Sequence, residues 1–233
     1  MIRSLALLAI LVSAACQPTI QTTSGADYLS RGPIADPAIR AAAAVEPDLR
    51  FPARIGIARI VNGALTQAPP REACASPTSP RHAGMGEWVP LSPLVAGMVE
   101  TRRDSSLIQT MRTAAARQHL DYLLVYELGA RSGPTGDTPF ALADVTIVGG
   151  LLLPTRTTQA TGIGAAAFVD VRNGYPYGTV GATSDLSGLA RTWGSDAANA
   201  RLRARAADAV ANDLLPQVDD MLRALHGRAG RSG

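Results

Sequence analysis

The residues able to do chemistry are few and scattered. Two cysteines, Cys16 and Cys74, and three histidines, His82, His119 and His226, lie far apart in the chain. That spacing excludes a cysteine-rich zinc site and argues against a histidine-rich one, so no metal and no cofactor is expected. No Gly-x-Ser-x-Gly or Walker sequence occurs, and no histidine stands in a nucleophile context. Gly162-Ile163-Gly164 lies inside an alternating β pattern with no helix opening after it, which is not a dinucleotide fingerprint. Two carboxylates, Glu127 and Asp144, fall on otherwise apolar stretches and would serve as a general acid/base pair if they converged in a cleft. The competing reading puts each near a strand end, beside water or an arginine such as Arg131 or Arg156. Asn173-Gly174-Tyr175-Pro176-Tyr177-Gly178 is the richest aromatic element. Tyr175 and Tyr177 flanking a proline are candidate partner-binding residues, because rigid amphipathic aromatics anchor protein contacts; packing on their own sheet is the alternative.

Cys16 has the most specific surroundings. Met1-Ile2-Arg3-Ser4 is a short positive segment, and Leu5 to Ala15 is an apolar run ending in small residues, as in a secretory leader. It is too short to span a bilayer, which takes about 20 apolar residues. Ser13-Ala14-Ala15-Cys16 resembles the lipobox of bacterial lipoproteins, with Ser13 where that family usually has leucine. The resemblance implies cleavage before Cys16, acylation of its sulfur and new amino terminus, and, with Gln17 next, delivery to the outer membrane facing the periplasm. An ordinary secretory leader cut near Ala15 is the other reading. Cys74 would then be a lone thiol in an oxidising compartment, either paired with another chain or tucked under a loop.

The first 15 of 233 residues set aside as a signal peptide leave 218, enough to bury the core of one domain. With 46% hydrophobic and 18% charged residues the composition is globular. The 22 basic residues are all arginine, consistent with a GC-rich genome. The formal net charge is +3, or +2 once Arg3 leaves with the leader, a balance that predicts neither nucleic-acid binding nor strong attraction to anionic lipid.

The pattern of elements follows from punctuation and periodicity. Residues 16–50 are expected as a lipidated tether with one short helix: Gln17 to Gly25 is polar and small, and Asp36-Pro37 caps a helix that Pro47 stops. Residues 51–226 form the domain and 227–233 a flexible tail. Arg54 to Val61 alternates as a strand and breaks at Asn62-Gly63; residues 64–90, with their prolines, are expected as a long loop. Ser92-Pro93 starts a helical turn. Asp104-Ser105-Ser106 caps a longer helix with Ile108, Met111 and Ala115 on one face, and Tyr122 to Leu128 is apolar on both faces like a central strand. Strand, helix and strand make a right-handed βαβ unit. Segments near 142–153, 157–171 and 175–185 give an antiparallel meander, the last two joined by Arg172-Asn173-Gly174. Ala160, Gly162, Gly164, Ala166 and Phe168 share one strand face, low enough for close helix approach. The matching helix runs from Ser195 to His226, with Leu202, Ala206, Val210, Leu214, Val218, Met221 and Leu225 on one stripe and Pro216 expected to kink or divide it. Arg201, Arg203 and Arg205 beside Asp196 and Asp208 read as a solvated face. The fold class is α+β, a mixed sheet with a long C-terminal helix packed on it.

Arg54-Ile55-Gly56-Ile57-Ala58-Arg59, Asp121 to Val125 and Phe168 to Gly174, with an anchor and a closing helix, are similar to an envelope group. It includes the curli secretion-channel lipoprotein, the penicillin-binding-protein activator lipoproteins and the amino-terminal domain of TolB. The likeness implies a module that binds or assembles with another cell-envelope protein, rather than an enzyme. A periplasmic hydrolase using Glu127 or Asp144, or a purely structural lipoprotein, are the alternatives.

Overall fold

The computed structural model describes residues 18–21, 23–61, 63–68, 84–98, 106–133, 136–137, 156–190 and 195–230. Cys16, Cys74, Asp144, His82 and the 142–153 segment lie outside them. The elements in chain order are β1 (Thr19–Ile20), α1 (Gly25–Leu29), α2 (Pro37–Ala43), β2 (Ala53–Val61), β3 (Ala64–Thr66) and β4 (Gly86–Pro90). There follow α3 (Pro93–Gly97), α4 (Leu107–Arg117), β5 (Tyr122–Ser132), β6 (Gly136–Asp137), β7 (Arg156–Asp170), β8 (Pro176–Ala190) and α5 (Ser195–Ala229).

Among the described residues one mixed sheet holds every strand, in the order β1-β8-β7-β5-β2-β3, with β4 also on β2 and β6 also on β7. β2 and β5 run parallel, as a strand–helix–strand unit through α4 requires, and β5, β7 and β8 are antiparallel neighbours. The expected α+β architecture is present. Asp36 caps α2, its Oδ1 accepting from the Ala38 amide at 2.8 Å, and Ser106 caps α4 through the Gln109 amide at 3.3 Å.

The two faces of the sheet are covered unequally. Along β7 the even-numbered residues face α5: Ala160, Gly162, Gly164, Ala166 and Phe168 are all buried. Leu202, Ala206, Val210, Leu214, Val218, Met221 and Leu225 of α5 are buried too, joined by Leu222. A Cβ on Gly162 would overlap the Ala206 carbonyl oxygen, and one on Gly164 would stand 2.5 Å from Val210 Cγ1, so both positions need glycine for the helix to sit this low. On the other face Met111, Ala114 and Ala115 of α4 pack with Ala96, Ala58, Leu123 and Val125, and that cover stops over the first half of β5.

Several local expectations need correction. The ends of the 64–90 stretch are strands: β2 turns through Gly63, at φ +76°, into β3, and β4 adds alongside the start of β2. β2 ends at Val61 as expected, and Gly63 belongs to a hairpin turn into β3, while Asn62 lies outside the described residues. Ile108 is exposed although it lies on the side of Met111 and Ala115, because it sits in the first turn of α4, ahead of the buried stretch Met111, Ala114 and Ala115. Pro216 does not divide α5, which continues past it to Ala229, three residues beyond the expected domain end. The ring lies on the exposed side of the helix, where a lost hydrogen bond is replaced by water. Within the expected tether, Thr19 and Ile20 pair with Thr179 and Gly178 of β8.

Candidate functional site

The turn between β7 and β8, expected as a recognition tip, is a structural joint. Asp170 is buried, its Oδ1 accepting from the amides of Arg172 at 2.7 Å and Asn173 at 3.3 Å. Asn173 Oδ1 accepts from the Tyr175 amide at 2.8 Å, and Gly174 takes φ +80°. From α4, Arg112 donates to the carbonyls of Val171 at 3.1 Å and Arg172 at 3.0 Å. Arg172 also pairs with Asp121 at 2.9 Å, and Asp121 accepts from the Arg54 amide at 2.9 Å.

Tyr177 is therefore not a surface residue. Its exposure is 0%, its ring packs edge-on to Tyr122 at 5.7 Å, and its hydroxyl donates to Asp170 Oδ2 at 3.2 Å while accepting from the Asp48 amide at 3.0 Å. A β-bulge explains this: near the start of β8 the pairing steps from Phe168/Gly178 to Val169/Pro176, which turns Tyr177 against strict alternation onto the face under α5, and a buried phenol needs partners, which Asp48 and Asp170 supply. Tyr175 is half-buried, 5.2 Å from the Tyr177 ring, with its hydroxyl donating to the Thr23 carbonyl at 3.4 Å. Tyr122 adds a third hydroxyl, donating to the Asp48 carbonyl at 3.0 Å and accepting from the Arg50 amide at 2.9 Å. Burial raises the pKa of all three phenols, Tyr177 most, with Asp170 adding to it. These tyrosines fasten residues 23–50 over one end of the sheet. Glu46 secures the same strap: it accepts from the Ala26 amide at 2.9 Å and from Ser24 Oγ at 3.1 Å, bonds that lower its pKa.

Among the described residues, the surface left uncovered is the outer face of β7, β8 and the second half of β5. Odd-numbered residues there point away from α5, and beyond the reach of α4 nothing among the described residues covers them. Gly129, Ala165, Ala167, Thr179, Gly181 and Thr183 make a flat floor of small side chains, with Ile163 rising from it at 41% exposure. A Cβ on Gly181 would meet nothing nearer than 3.7 Å. Glu127 stands exposed at one side of this floor, in register with Ile60 and Ala165, and Arg131 is exposed further along the same strand. Asp185 lies at the other side, accepting from Thr161 Oγ1 at 2.6 Å. Glu127 is thus on an open plane rather than in a cleft, and its proposed partner Asp144 lies outside the described residues. Among the described residues no group of three His, Cys, Asp or Glu side chains could hold a metal ion, and no helix is long and apolar enough to cross a membrane.

The sequence pattern that reveals this floor is the odd register of the strand whose even register was assigned to helix packing: Thr161, Ile163, Ala165 and Ala167 carry too little bulk to bury a second helix, yet too little charge for an ordinary solvated face.

No family model and no curated protein matches the chain. Among solved structures, a PelC dodecamer from Paraburkholderia phytofirmans, carrying one leucine-to-methionine substitution, is similar over 89% of this chain and 99% of that one. The identity is 15% and the TM-score 0.34, a likeness too distant to carry any property across.

Proposed function

We propose that the protein is a lipid-anchored, periplasm-facing outer-membrane lipoprotein, acylated at Cys16, whose domain is a binding or assembly module for another cell-envelope protein. The anchor is supported by the leader-like run closing on Cys16, and several acyl chains hold a domain stably at about 0.8 kcal/mol per buried CH₂. The module reading rests on one observation: half of one sheet face is a broad plane of small side chains around Ile163, flat and nearly uncharged at its centre. A plane of that kind suits a macromolecular surface; a small molecule needs a concave site that buries most of its area. Recognition is therefore assigned to the outer face of β5, β7 and β8, not to the Tyr175/Tyr177 turn.

Site-specific photocrosslinking in intact cells tests this. A photoreactive residue in place of Ile163 should trap one discrete envelope protein, while the same group in place of Leu94, exposed on α3, should not. Trapping at Leu94 alone would place recognition elsewhere. Abolition of biological activity by Glu127→Gln in a folded protein that still captures its partner would favour the hydrolase instead.

A further inference from the structure

Thr19 is fixed to the sheet by pairing with Thr179, and Cys16 precedes it by three residues, a reach of about 10 Å even when fully extended. The acyl chains on Cys16 are thus held to the rim of the domain instead of trailing on a tether. The direction is also set. From Thr19 to Gln21 the chain runs antiparallel to β8 toward Tyr177, whose carbonyl accepts from the Gln21 amide at 2.9 Å. From Thr19 back to Pro18 the chain therefore heads along β8 away from Tyr177, in the direction of the Gly181 end. Among the described residues β8 has no strand partner on this side beyond Thr179, and Asp185 is its sole charge from there to Ala190. An open edge of that length ordinarily carries protective charges or a cover.

From this placement we infer that the outer edge of β8 lies against the membrane surface, with the lipid headgroups as its cover. The proposal rests on the lipoprotein reading of Cys16. Headgroup phosphates and glycerol esters can meet the unpaired amides and hydroxyls that a hydrocarbon interior would leave unsatisfied, so the edge sits at the interface and does not insert. The neighbouring flank of α5 fits the same ligand. Arg203 reaches across β5 to Ser132 Oγ at 3.0 Å, and Arg201 lies about 200° around the helix from Arg203, on the side of β8, with Arg205 one turn further and Asp208 beyond it. Exposed Arg201 and Arg205 can pair with phosphate there. Held this way, the floor around Ile163 stands upright on the membrane, free for a partner in the same bilayer.

The test uses the full-length acylated protein, with Cys74→Ser, in phosphatidylethanolamine/phosphatidylglycerol vesicles containing headgroup-attached nitroxide quenchers. Single cysteines labelled with a fluorophore replace Thr183 or Arg201 near the edge, and Arg203 or Ile108 away from it. Quenching at Thr183 and Arg201 several-fold above that at Arg203 and Ile108 is the expected result. Equal quenching at all four, or the reverse order, overturns the proposal, as would label–label energy transfer between copies at Thr183, which would show a second copy covering the edge. The mass of the protein is read alongside. Acyl mass present with Thr183 unquenched refutes only the membrane-facing edge, whereas absence of acyl mass refutes the anchoring reading and this proposal with it.

Discussion

The face of the sheet under α5 and the face opposite it are built from the same strands, yet they obey different rules. Under α5 the contributed side chains are large and apolar, such as Tyr122, Leu124 and Phe168, or reduced to a methyl, as at Ala160 and Ala166, or absent, as at Gly162 and Gly164. There the helix backbone descends onto the glycines while its leucines and Met221 fill the space around them. Across β7, β8 and the second half of β5 on the other face most residues are small or hydroxylated, and nothing among the described residues descends onto them. The difference separates two uses of glycine: at Gly162 it makes room for a helix, and at Gly181 it keeps an open surface flat.

That contrast can be broken most severely at the helix contact. Gly162→Leu drives a side chain into the Ala206 carbonyl and should cost about 3 kcal/mol or more, read as a fall in thermal midpoint or loss of the folded state. Gly181→Ala, with open space for its Cβ, should leave the midpoint within about 0.5 kcal/mol of wild type. Comparable losses at the two sites would mean that the faces are not distinct. Next in size is Met221→Ala, which empties a fully buried site against Gly178 and should cost about 2 to 5 kcal/mol in denaturant titration, whereas Ile163→Ala should cost less than about 1 kcal/mol.

The strap over the end of the sheet sharpens the comparison further. Tyr177→Phe leaves Asp170 Oδ2 and the Asp48 amide without their phenol partner and should cost about 1 to 3 kcal/mol; half-buried Tyr175→Phe should cost under about 1 kcal/mol. The pH dependence follows from the same phenols. Their folded-state pKa values are raised by burial, so above the ordinary tyrosine value of about 10 the unfolded chain loses protons that the folded chain keeps. Stability should be intact below pH 10 and fall as pH rises beyond it. Ultraviolet titration should show part of the tyrosine absorbance appearing only with unfolding; complete ionisation of all tyrosines near pH 10 in a folded protein would contradict this. The smallest effect belongs to Glu46, fully accessible and with a lowered pKa, whose bonds to Ala26 and Ser24 weaken as pH falls through the carboxylate range, below its ordinary value of 4.5. Protection of the α1 amides, relative to their intrinsic exchange rate at each pH, should then fall, and Glu46→Gln should remove that pH-dependent loss of protection.

Much of the covered face was legible in the sequence because it rests on strong periodicities. The even register of β7 and the stripe from Leu202 to Leu225 each repeat long enough to define a face, and small residues opposite large ones named the contact. Short elements were not legible. β3 and β4 occupy what reads as a proline-rich loop, since three to five residues set no period and their strand state comes from pairing with β2. The burial of Tyr177 was not legible because Tyr175-Pro176-Tyr177 looks the same in sequence whether the rings face water or a core; the deciding groups, Asp170 and Asp48, lie 7 and 129 residues away from Tyr177. The open floor went unrecognised for the converse reason. A face that buries nothing leaves no apolar stripe to find.

The central claim is that this floor binds the partner. Its most direct test is partner capture by the acylated protein carrying Ile163→Arg, measured beside the thermal midpoint of the same variant. Arginine at the centre of the floor points to solvent in the free protein, so the midpoint should stay within about 0.5 kcal/mol of wild type, while capture should fall by at least tenfold, about 1.4 kcal/mol. Capture equal to wild type by a folded, membrane-bound Ile163→Arg protein would contradict the assignment.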